Sequence, residues 1–566
     1  MTQLPLRQLD EALTDALQEA VRTWAASAGA EESLPSSTAA IRWDIPKEAS
    51  QGDLSSPIAF TLASARRQPP PVVAEEIIAQ LRAVLAARRL AGIVERLDVV
   101  RGFINLFLSQ QALSGVVQRI HRERHQYGRG QAGAGKSVLI EFVSANPTGP
   151  LSVAHGRQAA EGDALARLLR FQGCRVTAEY YLNDEGRQIE LLGKSLRARC
   201  AEQLGQAEPF PEDGYHGAYV TDSAKALVAQ RGHAVLQKPL DWFAEQGMKE
   251  QLHRIQEDLR HFGLQFDRWT SQRWLRTSGK IDRALDALRS RGLLFEQDGA
   301  TWFASTKFGD DKDRVVKKQS GELTYVAPDI AYHAWKFEQG YGLMVNLWGP
   351  DHHGYIPRVK AAMTALGQPA DRLVVRIVQL VTLSRGGAPV PMSKRQGEFV
   401  TFREILDEVG VDATRFFYLI RTMDSHLDFD LELAKSKAQE NPVYYVQYAH
   451  ARICSILAYA QGQLPWFRRL GRVDLARLSE PEERRLLRHL CHFPVAVRVC
   501  AQQLEPHGMT AYLQKLAELF HLFYTRQRVI TEDVPRSRAR LELISAARWV
   551  LANGLELLGI SAPHRM

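Results

Sequence analysis

EFVSANPTGPLSVAHGRQAAEGDALARLLRFQG, residues 141–173, continues an apolar run made of Val138, Leu139, Ile140, Phe142 and Val143. The run stops at a turn carrying Pro147, Gly149 and Pro150, and His155 then opens a long amphipathic segment. Strand, turn and helix N-terminus in that order predict the opening of a nucleotide-binding α/β sheet, because the amides and dipole of a helix start attract phosphate. Far downstream lies a short basic loop, PMSKRQGEF, residues 391–399.

From Ser137 to about Asp430 strand-like and helix-like segments alternate. Candidate strands are 137–143, 175–181, 343–348 and 372–380. The alternation predicts a mainly parallel sheet covered by helices on both faces. Residues 208–274 have mostly helical periodicity and read as an insertion. Upstream, Leu6, Leu9, Leu13, Leu17 and Val21 recur at helical spacing, and LDVVRGFINLFLS alternates like strand. Beyond residue 431 four segments bear apolar stripes, which predicts an all-α bundle. The expected division is an N-terminal α+β domain (1–127), a linker (128–136), a core (137–430) and a helical C-terminal domain (431–566).

A chain of 566 residues exceeds one hydrophobic core. A net charge of +8 favours a polyanionic partner, with a merely basic surface as the plain alternative. No run of 18 apolar residues occurs, so no transmembrane helix is expected, and the polar N-terminus lacks a signal-peptide core. Five cysteines without a CxxC argue against a disulfide framework or a structural zinc and fit a reducing, cytoplasmic compartment.

Residues 130–137 (GQAGAGKS) satisfy the P-loop pattern GxxxxGK[ST]. A P-loop must follow a buried strand and open a helix. Here a charged helical stretch precedes the match and a strand follows it, so a flexible linker is the expected identity.

Seven stretches are long and specific: EFVSANPTGP, EYYLNDEGRQIELLGKS, FPEDGYHG, the segment 309–341, LWGPDHHGYIPRVKAA, the segment 391–434 and NPVYYVQYAHARICSI. Together and in order they resemble arginyl-tRNA synthetase, a class I aminoacyl-tRNA synthetase family of bacterial type, over essentially the whole chain. The resemblance implies a Rossmann-like parallel-sheet catalytic core, an N-terminal tRNA-binding domain and a C-terminal anticodon-binding bundle. It implies that L-arginine is activated with ATP to arginyl-adenylate and passed to the 3′-terminal ribose of tRNA(Arg), with activation dependent on tRNA. ATP arrives with Mg²⁺, and no structural metal is expected. A monomer is the default state.

Such a reaction has no covalent enzyme intermediate, so the protein must position reactants and stabilise polyphosphate charge. By resemblance the HIGH-type turn is Ser152-Val153-Ala154-His155, with His155 in the second histidine position. Ser152 stands where His is usual and Ala154 where Gly is usual. The KMSK-type loop is Pro391-Met392-Ser393-Lys394, in which Pro391 replaces the first lysine and Lys394 is kept to meet the departing pyrophosphate. The resemblance places Pro147, Gly149, Gly156, Asp351 and His353, with Met392 and Ser393, around ATP. The HH pair at 352–353 lacks the further Cys or His of a zinc site.

A guanidinium is planar, permanently charged and rich in donors, so it calls for partly buried carboxylates. By resemblance these are Glu141 and Asp329, assisted by Tyr325, with Ser144 and Asn146 near the substrate's amino and carboxylate groups. The plain readings are an exposed acid for Glu141 and a helix cap for Asp329. On the tRNA side, unpaired bases need aromatic platforms and phosphates need cations. Tyr444, Tyr448 and Arg452 in the helical region fit this, as do Phe103 and Asn105 in GFINLFL. Arg468, Arg469 and Arg472, with Arg484, Arg485 and Arg488, form a second basic cluster. Two rival readings stand at this point: a paralogue that binds tRNA or ATP without turnover, and a synthetase for another amino acid.

Overall fold

A computed structural model describes residues 9–35, 41–46, 51–390, 400–467 and 473–566. Its centre is a five-stranded sheet built from β1 (Ser137–Glu141), β2 (Arg175–Leu182), β3 (Arg268–Ser271), β4 (Leu343–Trp348) and β5 (Leu373–Ile377). The spatial order is β5-β4-β1-β2-β3 and every pairing is parallel. This is the Rossmann arrangement, whose order reverses between β1 and β4 and opens a crevice at the strands' C-terminal ends. Val138, Leu139 and Ile140 are buried, as expected of a strand covered on both faces. Helix α1 (Val153–Phe171) follows β1, and α2 (Val326–Glu338) precedes β4.

Three features depart from the sequence reading. Arg268–Ser271, within the stretch read as helical, is the edge strand of the main sheet. Helices Arg187–Gln203, Ala218–Arg231 and Leu240–His261 pack on one another ahead of it. An antiparallel sheet of Leu294–Gln297, Ala300–Phe303 and Arg314–Lys317 was not signalled at all. The third departure concerns residues 128–136, which are docked rather than flexible. Gly130 and Gly133 donate their amides to the carbonyls of Phe171 and Gln172 at the end of α1 (3.2 and 2.8 Å). Those amides therefore close a helix C-terminus, and the P-loop geometry is absent.

The N-terminal region pairs helices Leu9–Ala28, Ile58–Arg66 and Pro70–Ala87 with a three-stranded antiparallel sheet. Leu9, Leu13, Leu17 and Val21 are buried along the first helix. The C-terminal region is a bundle of Pro442–Gln463, Pro481–Gln503, His507–Arg526 and Val534–Leu557. The helix Gln110–Glu123 packs against two of these, tying the ends of the chain together.

Candidate active site

At the end of β1 the backbone is forced out of the strand. Val143, a β-branched residue, has φ +67°, and Ser144 has φ +39°. Such positions cost about 1–3 kcal/mol each and persist where surroundings over-determine them. The surroundings do so here. Ser144 Oγ accepts from the Tyr181 amide (3.1 Å) and donates to Glu141 (3.2 Å), while Tyr180 donates its hydroxyl to the Ala145 carbonyl (2.7 Å). The following turn is clamped by Tyr219, whose hydroxyl donates to the Thr148 carbonyl (2.8 Å). A Cβ on Gly149 would lie 2.9 Å from that hydroxyl, so any larger residue would push the Tyr219 ring away from the turn.

Helix α1 starts at Ser152 and presents His155 in its first turn. The Nδ1 of His155 accepts from the Ser152 amide (3.1 Å), which places its ring proton on Nε2 and makes that atom a donor. A donor at a helix N-terminus suits a phosphate oxygen. Ser152 also forms a bridge with Thr401, and Phe402 donates its amide to the Leu151 carbonyl (2.7 Å). The segment after the basic loop is thereby held against this turn. Pro391, Met392, Ser393 and Lys394 themselves lie outside the described residues, as do Arg468, Arg469 and Arg472.

The C-terminal ends of β4, β1 and β2 carry Asn346, Glu141 and Glu179 side by side in register. All three are buried. Helix α2 lies over them and offers Asp329, Tyr332, His333 and Lys336, at the helical spacing i, i+3, i+4, i+7. Lys336, fully buried, forms an ion pair with Glu141 and donates to Asn346 Oδ1 (2.9 Å). Asn346 donates to His333 Nε2 (2.9 Å), and His333 donates through Nδ1 to the Asp329 carbonyl (2.8 Å). Burial holds His333 neutral, with its pKa lowered to about 3. Glu179 accepts from Tyr332 (2.6 Å) and Arg268 (2.7 Å). Asp329 opens into the cavity. Its carboxyl is pushed up to about 7, first by removal from water and then by the charge of Glu141.

These groups share one cavity of about 700 Å³, within the range of small-molecule sites. Glu141, Ser144, Asn146, Tyr325 and Asp329 line it, as do Gly149, Ser152, His155 and Asp351. The exposed Tyr325 stands at its mouth, with its ring 5.9 Å from that of Tyr355. Three expected nucleotide contacts are not in its wall. Pro147 is buried, His353 is exposed, and Gly156 faces the core, where a Cβ would strike the Phe402 ring at 2.4 Å. Gly156 thus acts by letting α1 approach Phe402. The sequence reading missed Lys336, Asn346 and Glu179 beneath the acids, and Tyr215 and Tyr219 on the wall. The spacing 329, 332, 333, 336 was the signal for the first of these. Among the described residues no group of three or more His, Cys, Asp or Glu could hold a metal ion.

On the outer surfaces, Phe103 is exposed with its ring 4.9 Å from Phe60. Asn105 is placed otherwise than expected. It is buried and accepts from the hydroxyl of Ser55 (2.7 Å), which stands opposite it in the sheet. Tyr444 and Tyr448 stack at 5.9 Å, and the Arg452 guanidinium lies over Tyr448 and Tyr524 (5.2 and 4.6 Å). This half-buried aromatic and cationic face is the kind that unpaired bases stack upon.

Comparison with known proteins agrees with this architecture. Residues 7–108 match the family described as "Arginyl tRNA synthetase N terminal domain", residues 116–423 "tRNA synthetases class I (R), catalytic domain", and residues 446–566 "DALR anticodon binding domain". An arginine–tRNA ligase of Syntrophotalea carbinolica is 45% identical over 93% of this chain and 95% of its own. One from Bacillus licheniformis is 43% identical over 98% of this chain and 99% of its own. In fold, the chain is similar to the arginyl-tRNA synthetase of Thermus thermophilus, with a TM-score of 0.77 at 24% identity over 99% of this chain and 100% of that one. On sequence across nearly its full length and on the three matched regions, the chain belongs to the arginine–tRNA ligase family of class I aminoacyl-tRNA synthetases.

Proposed function

We propose that this chain joins L-arginine to tRNA(Arg): ATP and arginine give arginyl-adenylate and pyrophosphate, and the arginyl group then moves to the 3′-terminal ribose, at the 2′-hydroxyl. The observation that carries the reading is a pair of acids, Glu141 and Asp329, on the wall of the same switch-point cavity as His155. A cationic side chain bound between the acids leaves its carboxylate to be aligned by Ser144 and Asn146 toward the α-phosphate. His155 donates from Nε2 to the phosphates, aided by the dipole of α1. Asp351 serves the ribose. Lys394, together with Met392 and Ser393, meets the departing pyrophosphate. Mg²⁺ travels with ATP as part of the substrate.

Activation requires bound tRNA in this reading, with Phe103 and the Tyr444–Tyr448–Arg452 face as contacts. The chain works as a monomer in the cytoplasm. The test is arginine-dependent ATP–pyrophosphate exchange, with and without tRNA, beside tRNA charging. Exchange only with tRNA, together with charging, supports the reading. Tight tRNA binding with neither activity overturns it.

A further inference from the structure

A carboxyl buried beside a second carboxylate holds its proton more tightly. The wall carries Glu141 and Asp329, and Glu179 lies beside Glu141 on the next strand. Glu179 is matched by Arg268 and Tyr332. The only cation in hydrogen-bond contact with Glu141 among the described residues is Lys336, buried seven residues after Asp329 on the same helix face. Burying an ammonium is costly unless it is paired and hydrogen-bonded, and Lys336 pairs with Glu141 and donates to Asn346. Asn346 is in turn oriented by His333, whose other nitrogen holds the Asp329 carbonyl. One hydrogen-bonded chain therefore runs from the backbone of one acid to the carboxylate of the other.

We propose that Lys336 is the positioning residue of the amino-acid pocket: its ammonium fixes and neutralises Glu141 from below, leaving Asp329 as the acid whose charge the incoming guanidinium matches. This rests on the pocket assignment made above. Arginine binding then displaces a proton from Asp329. The other groups facing Asp329 are Glu141 and Tyr181 from the strands and Arg358 from the following helix, next to Tyr325 and Tyr355 at the mouth. Burial and then Glu141 hold the Asp329 proton on, and Arg358 and then Lys336 draw it off. Loss of Lys336 leaves Asp329 protonated to higher pH.

The test is the pH dependence of kcat/KM for arginine in tRNA charging, from about pH 6 to about pH 9, for the parent, Lys336→Met, Lys336→Arg and Asp329→Asn. Lys336→Met is expected to move the acid limb up by about one unit and to raise KM near neutral pH ~tenfold, with kcat at saturating arginine changed less. Lys336→Arg keeps the charge and is expected to keep the parental limb. A purely structural lysine would lower the yield of folded, tRNA-binding protein without moving the limb of the molecules that fold. Should Lys336→Met give no soluble protein, Lys336→Gln, which retains a donor to Asn346, is read in the same way. A parental limb in both neutral variants overturns the proposal. If Asp329→Asn raises KM while those variants do not, the pocket assignment survives and only the role of Lys336 falls. If Asp329→Asn also leaves KM unchanged, the pocket assignment itself fails.

Discussion

Asp329 shows how one residue's surroundings set its charge. A carboxyl with its pKa pushed up to about 7 by burial and by Glu141 is only partly ionised near neutral pH. Arginine binding should therefore weaken as pH falls below about 7, because a protonated acid offers the guanidinium no charge. The stability consequence has a definite sign. An acid whose folded value lies above its ordinary one costs the fold stability as pH rises from the ordinary carboxylate range toward about 7, and the cost is constant beyond that. Asp329→Asn removes both effects, so the variant should lose the acid limb in KM and show a flatter difference in unfolding free energy between acid and neutral pH. The family resemblance singled out Glu141, Asp329, Ser144, Asn146 and Tyr325, and all five line the one cavity. It did not name Lys336, since a single lysine in AYHAWKFEQ looks like any solvated charge until β1 and β4 are brought beneath it.

At the scale of elements, α1 joins the turn after β1 to the rest of the core. Arg157, one turn into it and fully buried, donates to the carbonyls of Gln379, Thr422 and Ser425 (3.1, 2.7 and 2.8 Å). Those carbonyls flank the strands Val381–Arg385 and Leu427–Asp430, so the helix start is tied directly to this small sheet. Glu161 lies a turn further on, and burial pushes its carboxyl up to about 8 against the opposing pull of Arg157 and Arg376. Above the ordinary glutamate range the folded chain holds a proton that the unfolded chain lacks, so stability falls with rising pH until about 8. Glu161→Gln is expected to fold as well as the parent near neutral pH and to lose less stability between about pH 6 and about pH 8.5, as denaturant unfolding at the two values would show.

Long periodic elements such as α1 and the C-terminal helices were legible because their apolar spacing is strong. The strand Arg268–Ser271 was not, being four residues with one buried position between helices. The antiparallel sheet of residues 294–317 was hidden by strands just as short, whose identity comes from packing under α2 rather than from local pattern.

Across the whole molecule, a few polar groups join regions that are far apart in sequence. Arg415 is buried and binds Asp163 of α1 (2.8 Å), the Phe262 carbonyl (2.8 Å) and the Leu558 carbonyl (3.3 Å). The core, the helical insertion and the end of the C-terminal bundle thus meet on one guanidinium. Removing one partner of a buried ion pair costs about 3–5 kcal/mol, so Arg415→Ala should lower the thermal midpoint markedly and impair tRNA charging with it. Asp53 plays the corresponding part between the two ends of the chain. Its carboxylate pairs with Arg488 and accepts from the Leu108 amide (2.6 Å), and its carbonyl meets His492 Nε2 (2.6 Å). Asp53→Ala is expected to speed proteolysis between the N-terminal region and the core while leaving KM for arginine unchanged. None of these long-range pairs carries a signature in the sequence, because nothing local distinguishes a buried arginine from a solvated one.

Glu141 and Asp329 are proposed as the seat of an arginine side chain that is then esterified to tRNA. The most direct test of this proposal is charging of tRNA with labelled arginine by the parent and by Asp329→Asn, across a range of arginine concentrations. Charging by the parent, with KM raised on the order of a hundredfold in Asp329→Asn from the loss of about 3 kcal/mol, is the predicted result. An unchanged KM in the variant, or a parent that binds tRNA and charges no arginine, would contradict it.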